Sequence, residues 1–296
     1  MAKKRSTLNP NFDPAWLDAQ YNNRARVPDF ANHFASWGVA SVRARKNPGV
    51  VIDLAYGESD KEKLDVFAAA AGTTPAANGS PVLFFIHGGW WRSLDKSDHS
   101  FVAPSFTATG ACVVVPNYDL CPAVTIPEIT MQMVRALAWT WRNVARFGGD
   151  PTRITVAGHS AGGHLAAMML ACDWPAYAGD LPADLVKNAI SISGLHDLAP
   201  LPHTPAMKDV LRLTPGDVLR ASPVLLRRPA KGRLYSVVGA QESEEFLRQN
   251  RAIQQAWGDR TVPVCEELPG LNHFNIVQTL TEPTQRAHQL ALELLR

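Results

Sequence analysis

The sequence is poor in cysteine, and its cysteines form none of the groupings that bind a metal or make a redox pair. Only four of the 296 residues are cysteine. No Cys-x-x-Cys pair is present, and no histidines lie near the cysteines at the spacing of metal ligands. We therefore expect reduced, mostly packed thiols, and a protein that works without a metal or an organic cofactor. The cysteines are Cys112, Cys121, Cys172 and Cys265.

The sequence also lacks an excess of charge of one sign. Lys and Arg together number 29, against 27 Asp and Glu, and the one short basic cluster is Lys3-Lys4-Arg5. Nucleic acids and acidic membranes bind to concentrated basic surfaces. We therefore expect neither a nucleic acid nor a membrane as a partner.

Long apolar runs are missing as well. No stretch is long enough to cross a bilayer, and the basic start is not followed by the apolar segment of a secretory signal. We therefore expect a cytoplasmic protein. A homodimer is compatible with the sequence, which has no feature that sets the oligomeric state.

What the sequence does have is enough hydrophobic material for a large core. Hydrophobic residues make up 46% of the chain, and its length suits one large α/β domain. Since no internal repeat or linker divides the chain, we expect a single domain over residues 1–296. Residues 1–45 show little periodicity and are predicted to wrap or cap the core, with a short helix in Asp13–Tyr21.

Strand-like and helical segments alternate along the rest of the chain. Val50–Tyr56 and Lys63–Phe67 predict an antiparallel hairpin, and residues 70–80 predict a surface loop. The later apolar runs are continuous, as in strands that are covered on both faces. The pattern predicts an α/β fold with a mostly parallel central sheet, helices on both faces, and an insertion or cap near residues 198–230. The runs are Pro81–Ile86, Ala111–Val115, Arg153–Ala157, Ala189–Ser193 and Leu234–Val238, with helical segments such as Pro127–Arg146 between them.

A serine motif follows the third of these runs. Gly158-His-Ser-Ala-Gly162 fits the pattern G-x-S-x-G, with a strand before it and a helical segment after it. The glycines allow a tight turn that holds Ser160 at its apex. The alternative is a chance turn of small residues, but the flanking strand and helix favour Ser160 as a nucleophile.

A glycine pair follows the first run, in His87-Gly-Gly-Trp-Trp91. Backbone N–H groups exposed in such a turn can stabilise the negative charge on a carbonyl oxygen under attack. We predict an oxyanion hole formed by Gly88, Gly89 and Trp90, together with Ala161, the residue after the serine. Taken alone, the segment could equally be an ordinary Gly-Gly turn.

The base that activates the serine must be one of nine histidines. His159 and His164 are close in sequence but poorly placed, since one flanks the apex and the other lies on the following helix. His288 falls in the terminal helical segment. His273 follows the predicted strand Val262–Glu267 and comes last in the chain order serine, acid, histidine. We therefore predict His273 as the base.

The acid should follow the strand Leu234–Val238, where the loop contains no aspartate. Glu242 is the first carboxylate past that strand. Glu244 and Glu245 are better placed to begin the next helix, where acidic residues suit the helix dipole. Asp197, after the preceding strand, remains the rival to Glu242.

The motifs together resemble the α/β-hydrolase superfamily and, within it, the kynurenine formamidase (arylformamidase) group. The resemblance implies that Ser160 is the nucleophile, His273 the base and Glu242 the acid. That group usually has Asp at the position of Glu242. The blocks that carry the resemblance are His87-Gly-Gly-Trp-Trp91, Asn117-Tyr-Asp-Leu-Cys-Pro122, Gly158-His-Ser-Ala-Gly-Gly-His164, Ser193-Gly-Leu-His-Asp-Leu198, Glu242-Ser-Glu-Glu-Phe-Leu-Arg-Gln249 and His273-Phe274.

The resemblance implies a serine hydrolase that removes a formyl group from an aromatic amine such as N-formylkynurenine. The second hypothesis is a carboxylesterase for short-chain esters, and the third is a hydrolase fold that binds ligands without catalysis. Trp90, Trp91 and Tyr118 are predicted to line an aromatic entrance to the site, with core packing as the alternative.

Overall fold

The computed structural model describes residues 12–73 and 79–296. The basic cluster Lys3-Lys4-Arg5, the start of the predicted 1–45 segment and the middle of the predicted 70–80 loop lie outside the described residues.

An eight-stranded sheet runs through the described part of the chain, in the order β1-β2-β4-β3-β5-β6-β7-β8. The pairs β1-β2 and β2-β4 are antiparallel, and every other pair is parallel. The predicted mostly parallel sheet that opens with a hairpin is therefore confirmed. The strands are β1 Val50–Ala55, β2 Lys63–Phe67, β3 Ser80–Ile86, β4 Cys112–Pro116, β5 Gly149–His159, β6 Val186–Ile192, β7 Leu234–Gly239 and β8 Val264–Leu268.

The central strands are apolar without alternation because helices cover both faces of the sheet. In β3, Phe84 packs into the core on one face, while Leu83 and Phe85 pack into the core on the other. In β4, Val114 packs into the same core as Phe84, and Val113 packs into the core on the opposite face. Each central strand therefore contributes to two cores.

One strand is longer than the sequence indicates. The run Arg153–Ala157 predicts a short strand, but β5 begins at Gly149, which pairs with Ser80 of β3, and continues to His159, which pairs with Ile192 of β6. The residues around Gly149 favour a turn, so the sequence does not indicate that β5 begins there. Partner strands on both sides supply the backbone hydrogen bonds that extend β5 up to the serine.

Helices cover the sheet and its carboxyl end. The longest, α6, begins at a capping box in which the Thr125 side chain accepts from the Glu128 N–H and the Glu128 carboxylate accepts from the Thr125 N–H. The helices are α1 Pro14–Tyr21, α2 Asn23–Arg26, α3 Phe30–Ala44, α4 Lys96–His99, α5 Ala103–Thr107, α6 Ile126–Asn143, α7 Ala161–Leu170, α8 Trp174–Tyr177, α9 Pro205–Leu211, α10 Pro215–Ala221, α11 Glu244–Trp257, α12 Asn275–Gln278 and α13 Arg286–Leu295. Single 3₁₀ turns span Ser100–Val102, Val144–Phe147, Leu201–His203, Pro223–Leu225 and Thr279–Thr281.

Two segments outside the regular alternation contact each other. The described part of the N-terminal segment forms α1 to α3, and the predicted insertion near 198–230 contains α9 and α10. Helix α1 packs against both α9 and α11. Leu17 and Tyr21 of α1 are fully buried, which anchors the N-terminal segment to the rest of the chain.

The turn from β5 to α7 requires glycine at two positions. A Cβ atom on Gly158 would lie 2.0 Å from the carbonyl oxygen of Gly162, and a Cβ atom on Gly162 would lie 2.0 Å from the carbonyl oxygen of Ile86. Both contacts are with backbone, which cannot move aside as a flexible side chain can. The strand and the helix can therefore approach this closely only because both residues are glycine.

The substitution Gly162→Ala is expected to lower the free energy of unfolding by about 1–3 kcal/mol because the added methyl group forces α7 away from β3. Urea unfolding of purified variants measures this change. Gly179→Ala is the matched control, since a Cβ atom there meets no atom within 4 Å. Equal stability of the two variants would contradict the close packing of the turn.

Candidate active site

Ser160 lies at the tight turn where β5 ends and α7 begins. Its backbone has φ 57° and ψ −118°, a strained conformation that residues other than glycine rarely adopt. The Ser160 N–H donates to the carbonyl oxygen of Ile192 in β6 at 2.8 Å, which holds the turn against the sheet. The side chain therefore has a fixed position at the carboxyl edge of the sheet.

His273 and Glu242 reach the serine from the loops that follow β8 and β7. The distance from His273 Nε2 to Ser160 Oγ is 3.1 Å, and that from His273 Nδ1 to Glu242 Oε2 is 2.6 Å. Because the carboxylate accepts from Nδ1, Nε2 is the nitrogen that can accept the serine proton. The structure thus brings together the three side chains that the sequence singles out.

A second oxygen of Glu242 is held by two further donors. Oε1 accepts a hydrogen bond from Ser193 Oγ at 2.5 Å and one from the Gly239 N–H at 2.9 Å. Ser193 directly follows β6, and its backbone has a positive φ of 52°. Sequence reasoning missed Ser193, although its position after a parallel strand, in the same loop as Asp197, is the signal that could have found it.

Asp197 lies in the same loop as Ser193 but points to a different partner. Its Oδ2 accepts from Arg248 Nη1 at 3.0 Å, and its Oδ1 accepts from the Ala199 N–H at 3.1 Å. No contact joins Asp197 to His273 in the described part of the chain. The geometry therefore favours Glu242 over Asp197 as the partner of His273.

The predicted oxyanion segment lies directly against the serine. A Cβ atom on Gly88 would lie 3.1 Å from the Cβ atom of Ser160. Gly89 and Trp90 have positive φ values of 110° and 56°, and their N–H groups donate to no acceptor among the described residues. Ala161 is the first residue of α7, where backbone N–H groups lack partners within the helix. Free donors from both segments thus lie near the serine.

Of the three aromatic residues predicted at the entrance, Trp90 does line the cavity above the serine, but the prediction is wrong for Trp91 and Tyr118. Both side chains are fully buried, and neither lines the cavity above the serine. Trp91 packs edge-on against His164, with 5.0 Å between the ring centroids. The Tyr118 hydroxyl donates to the His87 carbonyl oxygen at 2.9 Å, and its ring stacks on the His87 ring at 4.2 Å. Both residues support the oxyanion segment from behind, as core packing.

A cavity of about 760 Å³, counting the part that is open to solvent, lies above Ser160 and His273. Much of its wall comes from the N-terminal segment and from the 198–230 insertion, which the sequence did not connect to the site. The wall residues that sequence reasoning missed include Tyr21, Arg24, Phe34, Trp37, Arg92, Thr204 and Met207.

A buried polar network fixes the N-terminal segment to α11 and to the loop that carries Asp197. The Tyr21 hydroxyl donates to Glu245 Oε2 at 2.7 Å, and the Gln249 amide donates to Tyr21 at 3.2 Å and to the Asp197 carbonyl oxygen at 2.8 Å. Arg248 pairs with both Glu245 and Asp197. Burial and the charge of Glu245 hold the pKa of Tyr21 well above its usual value, so the phenol remains a donor.

The two histidines beside the serine make structural contacts. His159 Nε2 lies 2.8 Å from the carbonyl oxygen of His273, and His164 Nε2 lies 2.6 Å from that of Ala221 in α10. Each ring nitrogen therefore donates a proton to a backbone carbonyl. Burial, with the neighbouring His273 and His99, holds the pKa of His159 well below its usual value. Neither residue is placed to take the serine proton.

Other buried histidines around the site also stay neutral. Burial lowers the pKa of His87 and of His164 to about 4, and that of His99 and of His196 to about 3. Among the described residues, no group of three or more His, Cys, Asp or Glu side chains is arranged to hold a metal ion. No described helix has the length and apolar character needed to cross a bilayer.

The fold, with a serine at the tight turn between a strand and a helix, defines a class of protein. Comparison with known families identifies the same class. Residues 83–275 match the family described as having the alpha/beta hydrolase fold. The chain belongs to this family, and it is an enzyme, a serine hydrolase of the α/β-hydrolase type.

Individual relatives show which members of the family the chain resembles. The chain is 28% identical to a kynurenine formamidase of Salmo salar, over 98% of this chain and 96% of the relative. It is 29% identical to the esterase LipQ of Mycobacterium tuberculosis, over 77% of this chain and 58% of that one. A solved structure of a putative thioesterase from Silicibacter sp. has a TM-score of 0.80 and 31% identity, and the alignment covers 93% of this chain and 98% of that one. The resemblance to the kynurenine formamidases is thus confirmed.

Acid should destabilise the fold because the buried histidines must gain protons on unfolding. Their folded pKa values lie near 3 to 4, below about 6.5 in an unfolded chain. The unfolded state therefore binds more protons as the pH falls below about 6.5, and the free energy of unfolding decreases until the pH passes the folded pKa values. Urea unfolding at pH 7.5 and pH 5 measures this loss.

The substitution His164→Gln should reduce that loss by on the order of 1 kcal/mol, because one buried titrating ring is removed. The control is His203→Gln, at an exposed position, which should keep the wild-type difference between the two pH values. A His164→Gln variant with the same loss as the wild type would contradict this account.

Proposed function

We propose that this hydrolase removes the formyl group from an N-formyl aromatic amine resembling N-formylkynurenine and releases formate. The observation that carries the proposal is the continuous path of hydrogen bonds from Glu242 through His273 to Ser160, at the base of a cavity lined by aromatic side chains. The full-length likeness to kynurenine formamidases supports the choice of substrate.

In the first half of the reaction, Ser160 Oγ attacks the formyl carbon while His273 Nε2 accepts the hydroxyl proton. Glu242 keeps the imidazole in the tautomer with its proton on Nδ1 and stabilises the imidazolium that forms. The oxyanion is bound by N–H groups of the 88–90 segment and of Ala161. His273 then donates its proton to the leaving amine, and the formyl ester of Ser160 remains.

In the second half, His273 accepts a proton from water, and the resulting hydroxide oxygen attacks the formyl ester. The tetrahedral intermediate again places its negative charge among the same backbone donors. When it collapses, the proton returns from His273 to Ser160 Oγ, and formic acid leaves and loses its own proton to the solvent as formate. The reaction consumes one water and needs no group beyond those of the chain.

A carboxylesterase acting on short-chain esters is the second candidate. The same three side chains perform ester hydrolysis with an alcohol in place of the amine as leaving group. The likeness to the esterase LipQ supports this candidate. A fold that only binds ligands is disfavoured, because Ser160, His273 and Glu242 are all present and in contact.

We further propose that residues 1–296 act as one domain, with residues 1–45 as its cap, on small amide or ester molecules in the cytoplasm. The packing of α1 against α9 and α11 supports a single unit. A homodimer stays a prediction, which light scattering of the purified chain can test.

The wild-type chain should be labelled covalently by a serine-directed fluorophosphonate and should hydrolyse N-formylkynurenine. Ser160→Ala removes the attacking oxygen, so labelling should disappear and kcat should fall by several orders of magnitude. Turnover of N-formylkynurenine is measured beside that of phenyl acetate. Cleavage of the ester alone would replace the formamidase proposal by the esterase one, and failure of the wild type to label would contradict both.

Glu242→Gln should lower kcat by roughly 10³–10⁴-fold, because an amide cannot stabilise the imidazolium and favours the wrong tautomer. Asp197→Asn is the matched control, since its carboxylate faces Arg248 rather than His273. Its kcat should fall less than about tenfold, because it acts at most through the loop conformation. A collapse of kcat in Asp197→Asn alone would show that the acid is Asp197.

A further inference from the structure

Two arginines line the cavity above Ser160 without a carboxylate partner. Arg24 lies in α2, and Arg92 follows the oxyanion segment. Neither forms an ion pair within residues 12–73 and 79–296. Among the described residues that line the cavity, Asp18 is the one with an acidic side chain, and its Oδ1 accepts from the Ala206 N–H at 3.0 Å. The charge of the cavity wall is therefore positive.

Both guanidinium groups are held in place by neighbours that leave their charge unneutralised. Arg92 Nη1 donates to the Ala206 carbonyl oxygen at 3.3 Å. The Arg24 guanidinium lies 5.4 Å from the ring centroid of Phe30 and 5.5 Å from that of Phe34. A carbonyl dipole and aromatic faces orient a cation without replacing a counter-ion. The two arginines are thus partly preorganised.

The two positive charges also act on each other. Burial, together with the charge of Arg24, lowers the pKa of Arg92 from its usual value. Like charges in a shared cavity repel, and a bound anion would relieve that repulsion. Guanidinium groups bind carboxylates through paired N–H donors, with a strength that neutral donors do not reach.

We infer that Arg24 and Arg92 form an anion subsite that binds a carboxylate on the substrate whose acyl group reaches Ser160. The inference rests on the proposed function only in placing the scissile bond at Ser160, and it applies to an amide and to an ester alike. It makes the enzyme selective for acylated aromatic amines or phenols that carry a negative charge. Neutral esters of the same size lack this interaction.

A pair of esters that differ in one carboxylate tests the subsite. The measured quantity is the ratio of kcat/KM for 4-acetoxybenzoate to kcat/KM for phenyl acetate. In the double variant Arg24→Gln/Arg92→Gln this ratio should fall about tenfold or more, since charge-assisted hydrogen bonds are lost from the anionic ester. Because the ratio compares two substrates of one variant, a general loss of folded enzyme cancels.

Two further variants test whether the effect is specific to the arginines that line the cavity. Arg26→Gln removes an exposed positive charge from the same helix, α2, at a residue that does not line the cavity. It should keep the wild-type ratio, whereas Arg92→Lys should retain part of the preference that the double variant loses. Raising the salt concentration should lower the wild-type ratio, because the subsite lies at an open cavity and its charges are screened.

Benzoate separates binding of the carboxylate from cleavage of the acyl group. It should inhibit phenyl acetate hydrolysis competitively in the wild type, and more weakly in the double variant. A ratio that stays within twofold of the wild-type value in the double variant would overturn the subsite, as would an equal fall in Arg26→Gln. Failure to cleave N-formylkynurenine would contradict the formamidase proposal alone, since the ratio of kcat/KM for the two esters still measures binding at the subsite.

Discussion

The hydrogen bond between Glu242 and His273 fixes the geometry on which the site depends. It joins the loops after β7 and β8, and Ser193 extends the link to the loop after β6. Glutamate is one methylene longer than the aspartate that is usual at this position in the kynurenine formamidase group. Its side chain has one more rotatable bond, so more contacts are needed to hold its carboxylate in place. Ser193 and the Gly239 N–H supply that restraint by holding one oxygen while His273 takes the other. Ser160, at the turn after β5, then lies at a set distance from His273 Nε2.

The sequence is sufficient to predict the sheet and to single out Ser160, His273 and, with Asp197 as its rival, Glu242, because local signals mark each of them. Parallel strands buried on both faces leave continuous apolar runs, and chemistry-bearing residues stand directly after them. Ser160 and Glu242 follow such runs, whereas His273 follows β8, an edge strand that contains two glutamates. The start of β5 at Gly149 escaped prediction because its pairing with Ser80 is a contact between segments distant in sequence.

The part of the cavity wall that comes from the N-terminal segment could not be predicted for a related reason. Tyr21 and Arg24 are far in sequence from the serine, and the segment that holds them has little periodicity. Their placement depends on buried tertiary contacts, such as the hydrogen bond from Tyr21 to Glu245. Trp91 was assigned to the wrong side because an aromatic residue after a glycine turn can face the cavity or the core. The sequence pattern is the same in both cases, and only packing against His164 decides it.

The N-terminal helices α1 to α3 lie outside residues 83–275, the part that matches the hydrolase family, yet they supply much of the cavity wall. Ser160, Glu242 and His273 all lie within the matched stretch, whereas the cavity wall is shared between that stretch, through Arg92 and Thr204, and the helices that precede it. Substitutions in the leading helices can therefore change part of the cavity wall while the sheet and its serine turn stay the same.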